Sequence, residues 1–390
     1  MSRDLYPGPR DAGSFLRPSL LVVAGEASGD TLGASVLEAP GASWSAWGLG
    51  GPALRAAGAS ILVDFQRIHA NGLGDALRVV PGALAAAGEL ALEVLHAPPA
   101  RALLLDATSF NARFGAWLRR RGVLVLWCVA PQLWAWRPDR GPSLARAMDR
   151  LAVLFPFEVA PWQALGVSTR WVGHPAIDRP LAPRSVARAA LGLLPQTPTL
   201  ALLPGSRPGE LRRLLPPFLD AAARLQGDGV RPFLLLAPSL PAPLVASCER
   251  LVKEYGISIV PVDPRRGLGP WLRAFDAALC ASGTASLECA LAGVKTVISY
   301  RVDAVTAWAA RRWLRVPWVG LPNLLLGREI CPELLQQRCS GPQLAAALRD
   351  TLSAASDGAL HAEELRDALD PRDGLTVGER VARFLGEGPR

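Results

Sequence analysis

The chain has 390 residues, half of them apolar and 19% charged, which excludes a mostly disordered protein and supplies core formers for two domains of ordinary size. Its 42 basic residues exceed 34 acidic ones for a formal charge of +8, and only Lys253 and Lys295 among the basic residues are not arginine. That excess agrees with an anionic partner without choosing among phosphate, nucleic acid and anionic lipid. Cys128, Cys248, Cys280, Cys289, Cys331 and Cys339 form no CxxC pair, so they read as small hydrophobes rather than disulfides or zinc ligands.

Residues 1–19 carry Arg3, Asp4, Arg10, Asp11 and Arg17 among prolines and glycines, and read as a flexible lead-in without a secretory core. Strand-sized apolar runs then follow at Leu20–Ala24, Ala102–Leu105, Val123–Cys128 and Leu151–Leu154, and again at Leu200–Leu203, Phe233–Leu236, Ile257–Val260, Ala277–Cys280 and Thr296–Ser299. None approaches the ~20 residues that span a bilayer. Such runs suit strands buried on both faces, and the stretches between them, such as Ser109–Arg121 and Glu210–Arg224, have the apolar spacing of covering helices. The pattern predicts an α/β protein of two doubly wound, Rossmann-like domains facing each other across a cleft. The proline-rich Gly173–Ser185 stretch is the expected linker. The expected domains are 20–178 and 179–355, followed by a helical segment over 356–390.

Four junctions carry chemistry. The first strand runs into GEASGD, Gly25 to Asp30, where small residues and free helix-start N–H groups favour an anion; a turn capped by Ser28 or Asp30 is the structural alternative. Asp106 ends the LLLD run, where desolvation suits a general base for an attacking hydroxyl; a helix N-cap, common for Asp at such a junction, is the reading that pattern alone favours. PGSRPGE, Pro204 to Glu210, offers Arg207 for paired hydrogen bonds to a diphosphate, with Gly205 and Ser206 allowing close approach; the alternative is a solvated arginine. ASGTASLECALAG, Ala281 to Gly293, places Ser282, Gly283, Thr284 and Ser286 around a helix start that would accept a diphosphate, with Glu288 beyond it for ribose hydroxyls; a plain capped helix is the alternative.

Other signals point less sharply. Trp134, Trp136, Trp308, Trp313 and Trp318, mixed with Arg311, Arg312 and Arg315, suit either a lipid headgroup boundary or buried packing. His174 reads as a linker or interface histidine, or a ligand contact. His69, His96 and His361 have no metal-ligand spacing. No nucleic-acid motif accompanies the positive charge.

In order, GEASGD, LLLDATSFN, WAWRP, GHPAID, LLPGSRPGE, ASGTASLECALAG and PNLLLGRE resemble the lipid-A-disaccharide synthase family, from about Leu20 to the C-terminus. The resemblance implies a GT-B glycosyltransferase that moves 2,3-diacylglucosamine from UDP-2,3-diacylglucosamine to 2,3-diacylglucosamine 1-phosphate. The products would be the β-1,6 disaccharide 1-phosphate and UDP. It implies Asp106 as catalytic base and Ser28 beside it. Glu26, Ser206, Arg207, Ser282, Gly283, Thr284, Ala285, Glu288 and Asn323 become substrate-binding residues, with Glu329 supporting the wall near Asn323. Because Arg207 and a helix N-terminus would neutralise UDP, transfer without metal or other cofactor is expected. The implied setting is cytoplasmic and peripheral on the inner face of the inner membrane of a Gram-negative-type cell, as a homodimer and with no nucleic-acid partner.

The chain departs from the family twice. Asp106-Ala107-Thr108-Ser109-Phe110-Asn111 stands where DAPDFN is usual, and Asn71-Gly72-Leu73-Gly74-Asp75-Ala76 is more polar than the family's MGxxEV segment. Rival readings are a UDP-N-acetylglucosamine 2-epimerase-like isomerase, which would need further acid/base groups, and a non-catalytic nucleotide or lipid binder.

Overall fold

The computed structural model describes residues 17–67, 76–135, 138–264, 266–303, 306–307, 312, 316–354 and 358–388, with the backbone alone over 76–79. The lead-in up to residue 16, His69, the Asn71–Asp75 segment, Trp136, Trp308, Arg311, Trp313 and Arg315 lie outside the described residues. The chain divides into two units, one within Met1–Pro131, Asp139–Gly173 and Pro371–Arg390, the other within Gln132–Pro138 and His174–Asp370.

The first unit holds β1 (Ser19–Ala24), β2 (Ser45–Gly50), β3 (Ser60–Asp64), β4 (Arg101–Leu105), β5 (Leu124–Cys128), β6 (Arg150–Val153) and β7 (Ser168–Trp171). They form one parallel sheet in the order β3-β2-β1-β4-β5-β6-β7. Between them run α1 (Ala27–Leu37), α2 (Pro52–Ala56), α3 (Ala76–His96), α4 (Thr108–Arg119), α5 (Gly141–Ala145) and α6 (Val159–Gln163). β1 and β4 bury nearly every residue, which is why they stand out as unbroken apolar runs.

The second unit repeats the plan with β8 (Thr199–Leu203), β9 (Arg231–Leu235), β10 (Ser258–Val260), β11 (Ala277–Ala281), β12 (Lys295–Tyr300) and β13 (Glu333–Leu335), ordered β10-β9-β8-β11-β12-β13 and again parallel. Its helices are α7 (Pro175–Asp178), α8 (Arg184–Ala190), α9 (Pro208–Gln226), α10 (Ala242–Glu254), α11 (Thr284–Leu291), α12 (Leu321–Leu326), α13 (Gly341–Ser353) and α14 (Gly358–Leu369). In α9 the stripe Leu211, Leu214, Leu215, Phe218, Leu219, Ala222 and Leu225 is buried against the sheet. At about 1.5–3 kcal/mol per large side chain, that burial outweighs the helix-breaking tendency of Pro216 and Pro217.

The last helix, α15 (Val377–Gly386), belongs to the first unit and packs on α1. A capping box starts it: Thr376 N–H donates to Glu379 Oε2 at 2.7 Å and Glu379 N–H to Thr376 Oγ1 at 3.3 Å. Arginines at the strand starts hold carbonyls at the end of that helix, Arg150 Nη1 on Phe384 O at 2.8 Å and Arg101 Nη1 on Glu387 O at 2.6 Å. Part of the arginine excess is therefore structural.

All nine expected strands are present, and β2, β3, β7 and β13 join them. Both sheets reverse direction of winding between their first and fourth strands, where Ala24 lies opposite Leu105 and Leu203 opposite Cys280. Ligands of open α/β sheets sit beyond the carboxyl ends of such a strand pair. The four chemically suggestive junctions are the loops that leave those ends.

Candidate active site

In the first unit, the Asp106 carboxylate accepts the Ser28 hydroxyl at 3.1 Å. Asp106 and Ala107 both take left-handed backbone, at φ 52° and 37°. Asn111, fully buried, holds that strained pair by donating Nδ2 to Asp106 O at 2.8 Å and Leu105 O at 3.2 Å. The bent backbone turns the Asp106 side chain toward the start of α1 instead of capping α4, whose N-cap is Ala107 without a side-chain bond. Gly29 makes the approach possible, since a Cβ there would lie 2.7 Å from Asp106 Oδ2. Burial, reinforced by the Glu26 charge, pushes the Asp106 carboxyl up to about 6 against the opposing Ser28 and Gly29 hydrogen bonds.

Glu26 is the N-cap residue of α1, and Ser28 is exposed in its first turn. Asp30 is a structural residue of another helix. Its carboxylate accepts Gly51 N–H at 2.6 Å and Ala53 N–H at 2.8 Å, fixing the start of α2. Ser109, exposed in the first turn of α4, leaves Glu26 as the acid whose charge acts on Asp106.

In the second unit, Arg207 occupies the N-cap of α9 with its side chain nearly half exposed, and Nη1 lies 3.8 Å from Glu210 Oε1. Glu210 organises the whole turn. It accepts Ser206 N–H at 3.3 Å and the Tyr300 hydroxyl at 3.2 Å, while Gly205, at φ 109°, leaves room for it. Burial first, then Glu210, pushes the Tyr300 hydroxyl up to about 12, so it stays a donor.

Across the same switch, Gly283 caps α11 at φ 151°, a backbone only glycine adopts freely, and an added Cβ would meet open space. Thr284 is exposed and Ala285 partly so. Ser282 donates its hydroxyl to Val319 O at 2.7 Å and so ties the turn to the next segment. Glu288 is buried; Oε1 accepts Arg179 Nη1 at 2.7 Å, while Oε2 has no partner among the described residues. Burial pushes its carboxyl up, with Arg179 opposing.

His174 caps α7, Nδ1 accepting Ala176 N–H at 3.1 Å; burial, helped by Arg179, pushes the imidazole down to about 4 and keeps it neutral. Asn323 has no exposed surface. Its Nδ2 donates to Cys331 O at 2.7 Å and Glu333 Oε1 at 2.9 Å, and its Oδ1 accepts from Ile330 N at 2.8 Å and Cys331 N at 2.9 Å. A saturated amide has nothing left for a ligand, so Asn323 shapes the segment beside Ser282 rather than facing substrate. Glu333 completes that clamp by accepting Val319 and Gly320 N–H, both at 2.9 Å, whereas Glu329 is exposed. Asn323→Leu strands the Ile330 and Cys331 N–H donors and the Cys331 carbonyl, and is expected to lower unfolding stability by about 2–4 kcal/mol in denaturant titration.

Sequence reasoning missed Asn111, Arg179, Glu210, Tyr300 and Glu333. Arg179 meets Glu288 from 109 residues away, a pairing no local motif carries. Glu210, by contrast, lies inside the Pro204–Glu210 motif and was readable as a loop-ordering acid.

Comparisons with known proteins fit this geometry. A sequence model of the lipid-A-disaccharide synthetase family matches residues 20–370. The lipid-A-disaccharide synthase of Myxococcus xanthus (strain DK1622) is 39% identical, with 85% of this chain and 87% of that protein aligned. That of Anaeromyxobacter sp. (strain K) is 36% identical over 94% and 97%. Among solved structures, Arabidopsis thaliana UGT89C1 complexed with UDP superposes with a TM-score of 0.62 at 16% identity, over 95% of this chain and 98% of that one. A putative UDP-N-acetylglucosamine 2-epimerase from Listeria monocytogenes gives 0.61 at 12%, over 94% of both. These likenesses establish the GT-B fold, which a transferase and an epimerase share, so the fold alone does not choose between them. The sequence does: the chain is a glycosyltransferase and belongs to the lipid-A-disaccharide synthase family.

Proposed function

We propose that Asp106 is the base in an inverting transfer of 2,3-diacylglucosamine from UDP-2,3-diacylglucosamine to 2,3-diacylglucosamine 1-phosphate. The observation that carries the assignment is the desolvated Asp106 carboxyl, up to about 6 and hydrogen-bonded to Ser28 at the switch point of its sheet. The acceptor hydroxyl gives its proton to Asp106 while its oxygen bonds to the donor's anomeric carbon. The bond from that carbon to the UDP phosphate oxygen breaks, and its electron pair leaves with UDP.

The second unit supplies the groups for that departing charge. Arg207 and the N–H groups of Gly283, Thr284 and Ala285 at the start of α11 take the diphosphate. Glu288 Oε2, buried without a partner among the described residues, is an acceptor for ribose hydroxyls. Ser206 holds the turn through its backbone, and Glu26 raises the base from the first unit.

The acceptor is lipidic, and a peripheral seat on the inner face of the inner membrane goes with it. No helix among the described residues is long and apolar enough to cross a membrane. Support for surface attachment comes from α3, where Val80, Leu84, Leu92 and Leu95 expose 48–70% of their area at helical spacing.

The test is UDP release by purified protein given both lipid substrates, with the disaccharide 1-phosphate identified by mass spectrometry. Because the base acts ionised, kcat/KM is expected to rise about tenfold per pH unit below the Asp106 value of about 6 and to level above it. Intact UDP binding with no disaccharide at any pH would remove the proposal.

A further inference from the structure

We propose that a groove at the N-terminal edge of the first sheet binds a phosphate-bearing ligand, apart from the loops assigned to catalysis. The groove, of about 1000 Å³, is walled by Arg113, Arg119, Arg120, Arg146 and Arg150 against one carboxylate, Asp149. It also takes in Leu124, Arg150 and Ser168, the first residues of β5, β6 and β7. Asp106 follows the opposite, C-terminal end of β4, so the groove and the proposed base lie at opposite edges of one sheet.

The charges in this groove are not balanced internally. Asp149 is consumed, with Oδ1 on Arg119 Nε at 2.8 Å and Oδ2 on Val125 N–H at 2.8 Å. Arg150 is buried and holds the carbonyls of Phe384 and Glu387. The exposed guanidiniums of Arg113, Arg120 and Arg146 have no hydrogen-bond or ion-pair partner among the described residues. Arginines in the last turn of a helix offset its dipole, which accounts for Arg119 and Arg120 on α4. Arg146 is likewise the C-cap of α5, but Arg113 lies farther back on α4, so the dipole does not explain why it turns into the same groove.

The ligand class follows from geometry and charge. Several guanidiniums around one concavity exceed what a single carboxylate satisfies, whereas a phosphate presents more oxygens and matches the planar guanidinium fork. Ala112, Ala116 and Gly122 keep the lining low, leaving room for the group to descend between the arginines. Inorganic phosphates and lipid phosphate headgroups share this chemistry.

The test titrates the full chain at low ionic strength with pyrophosphate by calorimetry, and with phosphatidylcholine vesicles with and without phosphatidic acid by co-sedimentation. Three proteins are compared: wild type, Arg113→Gln/Arg120→Gln/Arg146→Gln, and Arg207→Ala, which weakens pyrophosphate binding at the proposed nucleotide site without touching the groove. The expected result is binding that survives Arg207→Ala and weakens at least tenfold in the triple variant, whose unfolding temperature and turnover of detergent-dispersed substrates stay unchanged. Pyrophosphate binding assigns the groove to a soluble phosphate, and vesicle binding that requires phosphatidic acid assigns it to a lipid headgroup. Equal binding by the triple variant and wild type, or no binding of either probe by wild type, overturns the proposal.

Discussion

Asp106→Asn is expected to lower kcat by about 10²–10⁴ while leaving the KM for the UDP-sugar within a few-fold, because it removes proton acceptance and keeps the side chain's shape. The amide oxygen can still accept the Ser28 hydroxyl that now lies 3.1 Å from Oδ2. Loss of activity is not expected to bring loss of fold. Burial raises the folded-state value of Asp106 to about 6, above its ordinary range, so the carboxyl favours the folded state while neutral. That stabilisation is complete below the ordinary carboxylate range and lost as pH rises through about 6. At pH 8 the asparagine variant should therefore unfold at the same temperature as wild type or higher. A folded variant with wild-type turnover would remove Asp106 as the base, and one that unfolds below the wild-type temperature at pH 8 would overturn the stability expectation.

The strands legible in the sequence are those covered on both faces. β1, β4, β5 and β8 read as continuous apolar runs because no residue in them faces water for long. β2 escaped notice despite being buried, since Gly48 and Gly50 dilute its hydrophobicity. The glycine at 48 is required by packing, a Cβ there falling 2.2 Å from Val22 O. β7, Ser168–Trp171, is an edge strand of mostly polar residues, and β13 has only three residues.

The candidate site divides along similar lines. Its loops were legible because small residues and a charge at the end of an apolar run are local signals. What each side chain bonds is a tertiary fact. Nothing in GEASGD distinguishes Asp30, which fixes α2, from Ser28, which meets Asp106. Nothing in PNLLLGRE reveals that the Asn323 amide is spent on Ile330, Cys331 and Glu333. The left-handed pair at 106–107 was likewise hidden, because aspartate and alanine give no glycine-like warning.

Arg207→Ala is expected to cost about 10²–10³ in kcat/KM, most of it in kcat, because its charge is worth most as the diphosphate departs. Three features of the loop prepare Arg207 for that task. It sits at the N-cap of α9, its guanidinium is nearly half exposed, and Glu210, 3.8 Å from it, bonds Ser206 N–H and the Tyr300 hydroxyl. Glu210 orders the backbone around the guanidinium. Arg207→Lys should recover only part of the loss, since an ammonium keeps the charge but not the two-pronged contact. Glu210→Gln should cost less than Arg207→Ala, because glutamine can still accept through its amide oxygen. Steady-state kinetics with UDP as product inhibitor checks the order: both kcat/KM and UDP affinity should fall furthest in Arg207→Ala. Wild-type kcat/KM in that variant would leave the helix start at Gly283–Ala285 as the sole anion cradle and withdraw the leaving-group role from Arg207.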